Sequence, residues 1–314
     1  MEREKRVGLV LGSGSSRGWA HVGAIEALLE ENIPIDFIVG CSVGAYVAAI
    51  YAGNGLKSLK EFILTMDGKK IFSYFDIVVP RSGLLDGKRK LKELFSMHTD
   101  ATAFSDLIIP VMMVATDLGT GDKVVLKSGD LMEALRATMS FPGLFAPVNI
   151  KERWLVDGGL VDPVPVGVAR ATEVDIVIAV DLNSGISSLR NKHRSNNQDL
   201  PPKDIDNKET GHTGEMVRKL SEFYENTESN LKKKMADFLG TDPSMPDIME
   251  TLTSSIGIMQ DRITRINLAV DPPDILIQPR LGEMKMMDFS HVEEAIEEGY
   301  IGVKEKIEDI RALL

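Results

Sequence analysis

The sequence contains a single cysteine, Cys41, among 314 residues. One thiol can neither form an intrachain disulfide nor supply a zinc site built from several thiolates, so both are excluded. A long apolar run is also missing at the amino terminus, where the charged stretch MEREKR leads into Val7–Leu11. Five residues are too few for the apolar core of a signal peptide or for a membrane span. We therefore expect a cytoplasmic protein.

Basic residues are in deficit, with 36 Lys and Arg against 47 Asp and Glu, a formal net charge of −11. This charge argues against a nucleic-acid partner, because the phosphate backbone is itself negative. It also disfavours electrostatic docking on anionic membranes, although transient apolar contact with a membrane surface is compatible with it. The composition, 43% hydrophobic and 26% charged, is that of an ordinary globular protein. A chain of this length can form one large α/β domain.

Two strand–turn–helix junctions follow each other near the amino terminus. The first is the loop Gly12–Gly18, GSGSSRG, and the second is Gly40–Gly44, GCSVG. A small-residue loop that opens a helix presents unpaired backbone N–H groups and the positive end of the helix, so it suits an anion. The pattern G-x-S-x-G at a sharp strand-to-helix turn exposes a serine hydroxyl. We predict that the first loop holds a developing oxyanion and that Ser42 attacks.

Both junctions have alternative interpretations. The first loop resembles the dinucleotide-binding turn G-x-G-x-x-G, but its third glycine falls at Gly18, and Arg17 occupies the expected place. That turn also needs an acidic residue at the end of the second strand, whereas Asp36 lies at its start. Ser42 alone could mark a purely structural turn. We predict a small buried hydrophobe for Cys41 rather than a nucleophile.

Two further features each have a functional and a structural interpretation. Arg17 could bind a phosphate, or it could hold the glycine loop against a carbonyl or carboxylate; we favour the structural role. The methionines of the late segment could line an adaptable surface for lipid, but core filling is favoured. They are Met284, Met286 and Met287.

A nucleophilic serine needs a proton acceptor. Asp157 ends a predicted strand at Trp154–Val156 and precedes Gly158 and Gly159, so its carboxylate can approach the Ser42 turn. We predict a Ser–Asp dyad; the alternative is an aspartate that only caps the glycine turn. Asp162 and Asp181 are predicted turn formers. No histidine follows an apolar strand at the required edge; the five are His21, His98, His193, His212 and His291.

Strands alternate with helices through residue 180, which predicts a parallel, doubly wound sheet. The predicted strands are Val7–Leu11, Ile35–Val39, Ile108–Ala115, Asp122–Leu126, Trp154–Val156, Val174–Val180 and a late Ile275–Ile277. Asp122–Leu126 is the expected hairpin partner of Ile108–Ala115. Residues 184–214 are polar and predict a mobile surface excursion. Residues 215–314 are predicted to be largely helical, with a capping box at Ser290–Glu293 opening a final helix to about Leu313. We expect one domain over residues 1–314, with a catalytic core at 7–182.

Three motifs in this order and spacing resemble the patatin-like phospholipases, in particular small single-domain bacterial members related to the catalytic part of neuropathy target esterase. They are Gly12–Gly18, Gly40–Gly44 and Asp157–Gly159, and family-like sequence continues at 115–118, 141–144 and 271–276.

The resemblance implies an α/β fold, a three-layer α/β/α sandwich with a mainly parallel central sheet. It implies that Ser42 forms an acyl-enzyme, that Asp157 acts as the base, and that lipid acyl esters such as phospholipids or lysophospholipids are substrates. Backbone N–H groups of the Gly12–Gly18 loop, chiefly those of Gly14 and Ser15, would form the oxyanion hole. No cofactor and no metal are expected.

This loop departs from the family in one respect, because Ser13 and Ser15 interrupt what is commonly a run of glycines. Serine would be mildly strained wherever the backbone needs a positive φ. Both serines keep the backbone N–H group, so the oxyanion role is retained. The alternative to an enzyme is a catalytically weak regulatory or scaffold protein with the same fold, motivated by the excursion at 184–214.

Overall fold

The computed structural model describes residues 5–65, 88–184, 248–282 and 284–314. The chain divides into two compact units, one formed by residues 1–192 with 253–314 and the other by residues 193–252. Only residues 248–252 of the second unit are described, and the site lies in the first. The predicted excursion at 184–214 lies outside the described residues except for Ser184. The expectation of a single domain over the whole chain stays a prediction.

An eight-stranded sheet forms the centre of the first unit. Its strands follow the apolar runs of the sequence, and β1, β2 and β7 are buried at every position, as expected for strands covered on both faces. The strands are β1 Val7–Leu11, β2 Phe37–Cys41, β3 Val111–Asp117, β4 Lys123–Leu126, β5 Val148–Ile150, β6 Arg153–Asp157, β7 Ile176–Val180 and β8 Ile275–Ile277.

Hydrogen-bonded pairs connect the strands along the path β5-β6-β3-β2-β1-β7-β8, and β4 also pairs with β3. The pairs from β3 to β8 along this path are parallel. The pairs β3–β4, β3–β6 and β5–β6 are antiparallel. The sheet is therefore parallel over five strands and antiparallel at one end, in agreement with the expectation of a mainly parallel central sheet.

Helices cover both faces of this sheet. The described α-helices are α1 Ala20–Glu30, α2 Val43–Ala52, α3 Leu56–Thr65, α4 Lys88–Ser96, α5 Leu131–Thr138, α6 Val166–Arg170, α7 Ile248–Val270, α8 Val292–Lys304 and α9 Ile307–Leu313. Leu9 and Leu11 of β1 pack in one core with residues of α1, α2, α3 and α8. Val10, on the opposite face, packs with Val166 of α6 and Leu268 of α7. The fold is an α/β/α sandwich, as expected.

Two strands approach each other end to end beside β3. Cys41 of β2 pairs with Val114, and Asp157 of β6 pairs with Ala115. Val114 and Ala115 both pair with β4 as well, so β4 occupies one edge of β3. Because a strand has only two edges, β2 and β6 must share the other. They run in opposite directions there and meet at residues 41 and 157.

Three aspartates accept backbone hydrogen bonds near the amino-terminal ends of the parallel strands. Asp36 and Asp274 each accept a hydrogen bond from a backbone N–H of a neighbouring strand, at Val7 and Val177, and Asp175 accepts one from the N–H of Arg6, the residue before β1. β2 and β7 begin at Phe37 and Ile176, two residues later than predicted. The predicted hairpin partner β4 and the late strand β8 are confirmed.

The predicted capping box at Ser290 is wrong. His291 precedes α8 without a side-chain capping bond, and the Ser290 hydroxyl instead contacts the carboxylate of Asp288. The single final helix predicted to Leu313 is divided in two at Glu305 and Lys306. Short local patterns mark a helix start only when the side chain is free to turn back onto the helix.

No helix in the part of the chain that the structure describes is both long enough and apolar enough to cross a membrane.

Candidate active site

Ser42 lies at the turn between β2 and α2 in a strained conformation, with φ 54° and ψ −123°. A non-glycine residue in this region is uncommon and marks a constrained turn. The turn is closed by tight backbone contacts. A Cβ on Gly44 would lie 2.2 Å from the carbonyl oxygen of Leu11, which no real side chain tolerates. The G-x-S-x-G pattern thus has a steric cause here, and it leaves the serine hydroxyl at the tip of the turn.

The hydroxyl of Ser42 donates a hydrogen bond to Oδ2 of Asp157 over 2.6 Å. The other carboxylate oxygen, Oδ1, accepts from the backbone N–H of Gly159 at 2.7 Å. Asp157 is 2% exposed. Burial raises the pKa of its carboxyl from 3.8 to about 6, and the bonds from Ser42 and Gly159 oppose that rise. A carboxylate of this basicity can accept a proton from the serine near neutral pH.

Two threonine hydroxyls support the pair, and the sequence analysis missed both. Thr138 Oγ1 accepts from the backbone N–H of Ser42 at 3.0 Å and donates to the carbonyl of Val114. Thr116 Oγ1 donates to the carbonyl of Asp157 at 2.8 Å. Nothing in the sequence marks either hydroxyl as a partner of Ser42 or Asp157. These bonds fix the backbone of both reactive residues relative to β3.

The predicted oxyanion loop offers two free donors. Within the described residues, the backbone N–H groups of Gly14 and Ser15 have no hydrogen-bond acceptor, and both residues line the cavity beside Ser42. The flanking N–H groups are engaged by carbonyl oxygens: Gly12 with Val180, Ser13 with Pro163, Ser16 with Met286, and Arg17 with Gly14. Unpaired N–H groups that face a reacting centre can stabilise a developing negative oxygen.

The predicted strain is present at one of the two serines that interrupt the glycine run of this loop. Ser15 has φ 52°, whereas Ser13 is not among the residues with a positive φ. The Ser15 hydroxyl lies 3.7 Å from the sulfur of Met287. The predicted glycines all sit where a Cβ would come within 3.0 Å of a neighbour: Gly12, Gly14, Gly18, Gly40, Gly44, Gly158 and Gly159.

The side chains of Arg17 and His21 bind backbone carbonyl groups of the Gly12–Gly18 loop. The Arg17 side chain is buried, and its Nε donates to the carbonyl of Gly14 at 3.3 Å. Burial lowers the pKa of Arg17 to about 10, while Asp181 acts in the opposite direction. Burial also lowers the pKa of His21 to about 4, so the neutral ring donates from Nε2 to the carbonyl of Gly12 at 2.7 Å. These contacts fit the structural interpretation of Arg17.

Among the described residues, none of the other candidate side chains forms a hydrogen bond to the side chain of Ser42 or Asp157. His98 contacts Ser58, His291 contacts Glu294, and His193 and His212 fall outside the described residues. Asp162 pairs with Lys123 at 2.9 Å rather than only forming a turn, whereas Asp181 accepts from the backbone of Asn183 two residues on, as predicted for a turn former. Cys41 is fully buried, as predicted, and burial raises the pKa of its thiol.

A largely apolar cavity opens beside Ser42 and Asp157. Met284 is buried in the core, as predicted, but Met286 and Met287 line this cavity instead, so core filling is wrong for those two. Gln260 of α7 also reaches the cavity, which the sequence analysis missed. The remaining lining residues are Ser13, Gly14, Ser15, Trp19, Ser42, Val43, Tyr46, Met139, Phe141, Leu144, Phe145, Asp157 and Phe289.

Among the residues that the structure describes, no cluster of three or more His, Cys, Asp or Glu side chains could hold a metal ion. The chemistry that the arrangement itself offers is a hydroxyl with a basic carboxylate partner, next to two unpaired N–H donors and an apolar cavity. This set is suited to nucleophilic attack on a carbonyl carbon attached to an apolar group.

Comparison with known proteins gives a consistent result. The family model described as Patatin-like phospholipase matches residues 9–170, just over half of the chain. An uncharacterized NTE family protein of Mycobacterium tuberculosis is 36% identical over 178 residues, which are 57% of this chain and 49% of that protein. A second from the same organism is 28% identical over 306 residues, covering 96% of this chain and 46% of that protein.

A fungal protein is also similar. Lysophospholipase NTE1 of Pyricularia oryzae is 33% identical over 187 residues, 57% of this chain and 12% of that protein. The chain thus spans about half the length of the mycobacterial relatives it matches and a much smaller part of the fungal one.

Proposed function

We propose that this chain, which belongs to the patatin-like phospholipase family, is a serine acyl hydrolase that cleaves acyl esters of phospholipids or lysophospholipids. The observation that carries the proposal is the 2.6 Å hydrogen bond from the Ser42 hydroxyl to a buried Asp157 carboxylate. The nucleophile, its base and the free N–H groups of Gly14 and Ser15 surround one cavity.

In the acylation step, Asp157 accepts the proton of the Ser42 hydroxyl while Oγ attacks the ester carbonyl. The negative oxygen that develops receives hydrogen bonds from the N–H groups of Gly14 and Ser15. Collapse of the tetrahedral intermediate expels the alcohol, which takes the proton from Asp157. The acyl group is then bonded to Ser42, and the carboxylate is again ionised.

In the deacylation step, Asp157 accepts a proton from water, which attacks the acyl-enzyme carbonyl. The same two N–H groups stabilise the second tetrahedral intermediate, and Ser42 leaves as it regains the proton. The fatty acid is released and the free enzyme is restored. No metal and no cofactor take part in this scheme, since serine, carboxylate and backbone donors supply every proton and charge.

The lining of the cavity supports a lipid acyl chain as the group on the acid side. Phe141, Leu144, Phe145, Met286 and Met287 provide aromatic and thioether surface next to Ser42. Methionine adapts to irregular apolar ligands. The name of the fungal relative, Lysophospholipase NTE1, adds lysophospholipids as candidate substrates. The cytoplasmic location and the transient contact with a membrane surface stay predictions.

The experiment that tests the proposal uses a fluorophosphonate probe and a short-chain nitrophenyl ester on the full chain. We expect stoichiometric labelling of wild type at Ser42, and loss of both labelling and ester hydrolysis in Ser42→Ala. Ser58→Ala is the matched control, because Ser58 also contacts a basic side chain, His98, at 2.8 Å but lies outside the cavity. We expect that control to label and to hydrolyse as wild type does.

Two results would reject the proposal. Full esterase activity in Ser42→Ala would show that another group is the nucleophile. Folded wild-type protein that takes up no probe would favour the alternative, a catalytically weak regulatory or scaffold protein. If Ser42 is the nucleophile as expected, comparing cellular lipids with wild type and with Ser42→Ala identifies which ester is cleaved.

A further inference from the structure

We propose that Asn183 is a positioning residue for the oxyanion hole, because its side-chain amide fixes the peptide group that carries the N–H of Gly14. The proposal rests on the function proposed above. Asn183 follows β7, outside all three sequence motifs, and it does not line the cavity. Its effect on the reaction would therefore pass through the main chain of Ser13 and Gly14.

The contact between Asn183 and the loop is direct and shielded from water. Asn183 is 1% exposed, and its Nδ2 donates to the carbonyl oxygen of Ser13 at 3.0 Å and to the Ser13 hydroxyl at 3.3 Å. A carbonyl oxygen can only accept, so the amide nitrogen must face it. The described chain contains no cis peptide bond, so the Ser13 carbonyl and the Gly14 N–H point in opposite directions. Holding the carbonyl on one side directs the N–H to the other.

Asn183 is itself held in place by buried groups. Its backbone N–H donates to Oδ1 of Asp181 at 2.9 Å, and Oδ2 of Asp181 accepts from Nε2 of Gln278 at 3.2 Å. Asp181 is 3% exposed. A bonded amide whose own backbone is anchored loses little freedom when it orients a second group.

The neighbouring peptide is held in the same way. The carbonyl of Gly14 accepts from the side-chain Nε and the backbone N–H of Arg17, at 3.3 and 3.2 Å. This carbonyl belongs to the peptide that carries the N–H of Ser15. Each of the two free donors therefore has a buried side chain bonded to the opposite end of its peptide group, and Asn183 serves the first.

The other end of the amide gives an independent reason to assign a functional role. Within the described residues, Oδ1 of Asn183 is buried and has no hydrogen-bond partner. An unsatisfied buried oxygen lowers the stability of the folded state. If Asn183 served folding alone, its amide group would be free to rotate until Oδ1 found a partner. The bond from Nδ2 to the Ser13 carbonyl prevents that rotation.

The test compares two substrates that differ in one atom, a nitrophenyl ester and its thionoester. Sulfur accepts hydrogen bonds weakly, so an enzyme with a working oxyanion hole prefers the oxygen ester. In Asn183→Ala we expect kcat/KM for the oxygen ester to fall roughly 10- to 100-fold, below the loss from removing a donor outright. We expect KM to change little and the thionoester to lose less, so that the ratio between the two substrates falls.

Thr99→Val is the matched control, because the Thr99 hydroxyl also donates to a backbone carbonyl, that of Gly53 at 2.9 Å, outside the cavity. It should keep the wild-type ratio. If Asn183→Ala does not fold, the same ratio of kcat/KM values is measured in Asn183→Ser. The serine side chain is too short to reach the Ser13 carbonyl oxygen as the amide does, so we expect the ratio to fall in that variant as well. An unchanged ratio, or an equal loss on both substrates, overturns the proposal while Ser42 still reacts with fluorophosphonate. Wild type that neither hydrolyses nor reacts would instead reject the proposed function, and this inference with it.

Discussion

Ser42 and Asp157 sit at the meeting ends of two strands that approach from opposite directions along one edge of β3. The two residues are 115 positions apart in the chain, and Oγ of Ser42 lies 2.6 Å from Oδ2 of Asp157. The ends of the two strands, Cys41 and Asp157, lie opposite consecutive residues of β3, Val114 and Ala115. The spacing of the hydroxyl and the carboxylate is therefore set by a paired sheet rather than by flexible loops, as a preorganised dyad requires.

The first prediction concerns the pH dependence of catalysis. Burial raises the pKa of Asp157 to about 6, and only the ionised carboxylate can accept the serine proton. We expect kcat/KM to fall about tenfold per pH unit below that pKa and to level off above it, because kcat/KM reports the groups of the free enzyme. A nitrophenyl ester assayed across the range checks this. Activity that is level down to about pH 4, the ordinary range of an aspartate, would contradict it.

The second prediction concerns stability, and it follows from the same carboxyl. A folded-state pKa of about 6 against an ordinary 3.8 means that ionised Asp157 disfavours the fold. The penalty is absent below the ordinary pKa, grows as the pH rises between the two values, and is complete above the higher one. Asp157→Asn cannot ionise, so we expect it to be inactive and yet more stable than wild type by up to about 3 kcal/mol near neutral pH.

Urea unfolding of the two proteins at several pH values measures this difference. The advantage of Asp157→Asn should shrink as the pH falls below about 6 and approach zero below the ordinary pKa of 3.8, where wild-type Asp157 is protonated in both states. A variant that is less stable than wild type at neutral pH, with no dependence on pH, would show that the carboxylate stabilises the fold instead.

The contact between Ser42 and Asp157 could be predicted from the sequence, but not for the reason given. We predicted that Asp157 approaches Ser42 because the carboxyl ends of parallel strands meet at one edge of a sheet. In the structure, β6 is antiparallel to β3. What the local sequence did carry was an aspartate at a strand end before two glycines, and that feature holds in either direction. Thr138 and Asn183 could not be predicted, because their partners, Ser42 and Ser13, are known only once the strands are paired.

The approximate positions of most strands could be predicted, but their first and last residues could not. β3 begins at Val111 rather than at Ile108, directly after Pro110. Proline lacks the N–H that a ladder needs, so the apolar run before it is not part of the sheet. The three-residue strand β5, Val148–Ile150, was not predicted. Apolar periodicity cannot be recognised in so short a segment.

The third prediction tests the strain at Ser15. Its φ of 52° disfavours every residue with a Cβ, and glycine is free of this cost. We expect Ser15→Gly to be about 1 kcal/mol more stable than Ser15→Ala, the reverse of the order found at ordinary positions. Both variants keep the backbone N–H, so both should keep most of the activity. Thermal unfolding with ester hydrolysis tests this, and alanine being the more stable would contradict the backbone conformation.

The last prediction concerns Thr138, whose hydroxyl joins the Ser42 backbone to β3. Thr138→Val keeps the shape of the side chain but leaves the N–H of Ser42 without its acceptor. A buried group left unpaired costs about 1–3 kcal/mol, and here it lies on the residue that must attack, so kcat should fall together with stability. Thr138→Ser is the matched control, because it loses a methyl group and keeps the oxygen.

We expect Thr138→Ser to retain most of the wild-type kcat and to lose about 1 kcal/mol or less, so the two variants separate the hydroxyl from the packing. Urea unfolding and ester hydrolysis measured on the same preparations give both quantities. Equal kcat values in the two variants would mean that Ser42 is held by its strained turn and its bond to Asp157 alone. A loss confined to Thr138→Val would mean that the α5–β3 junction supports the nucleophile, since Thr138 ends α5 and also donates to Val114 of β3.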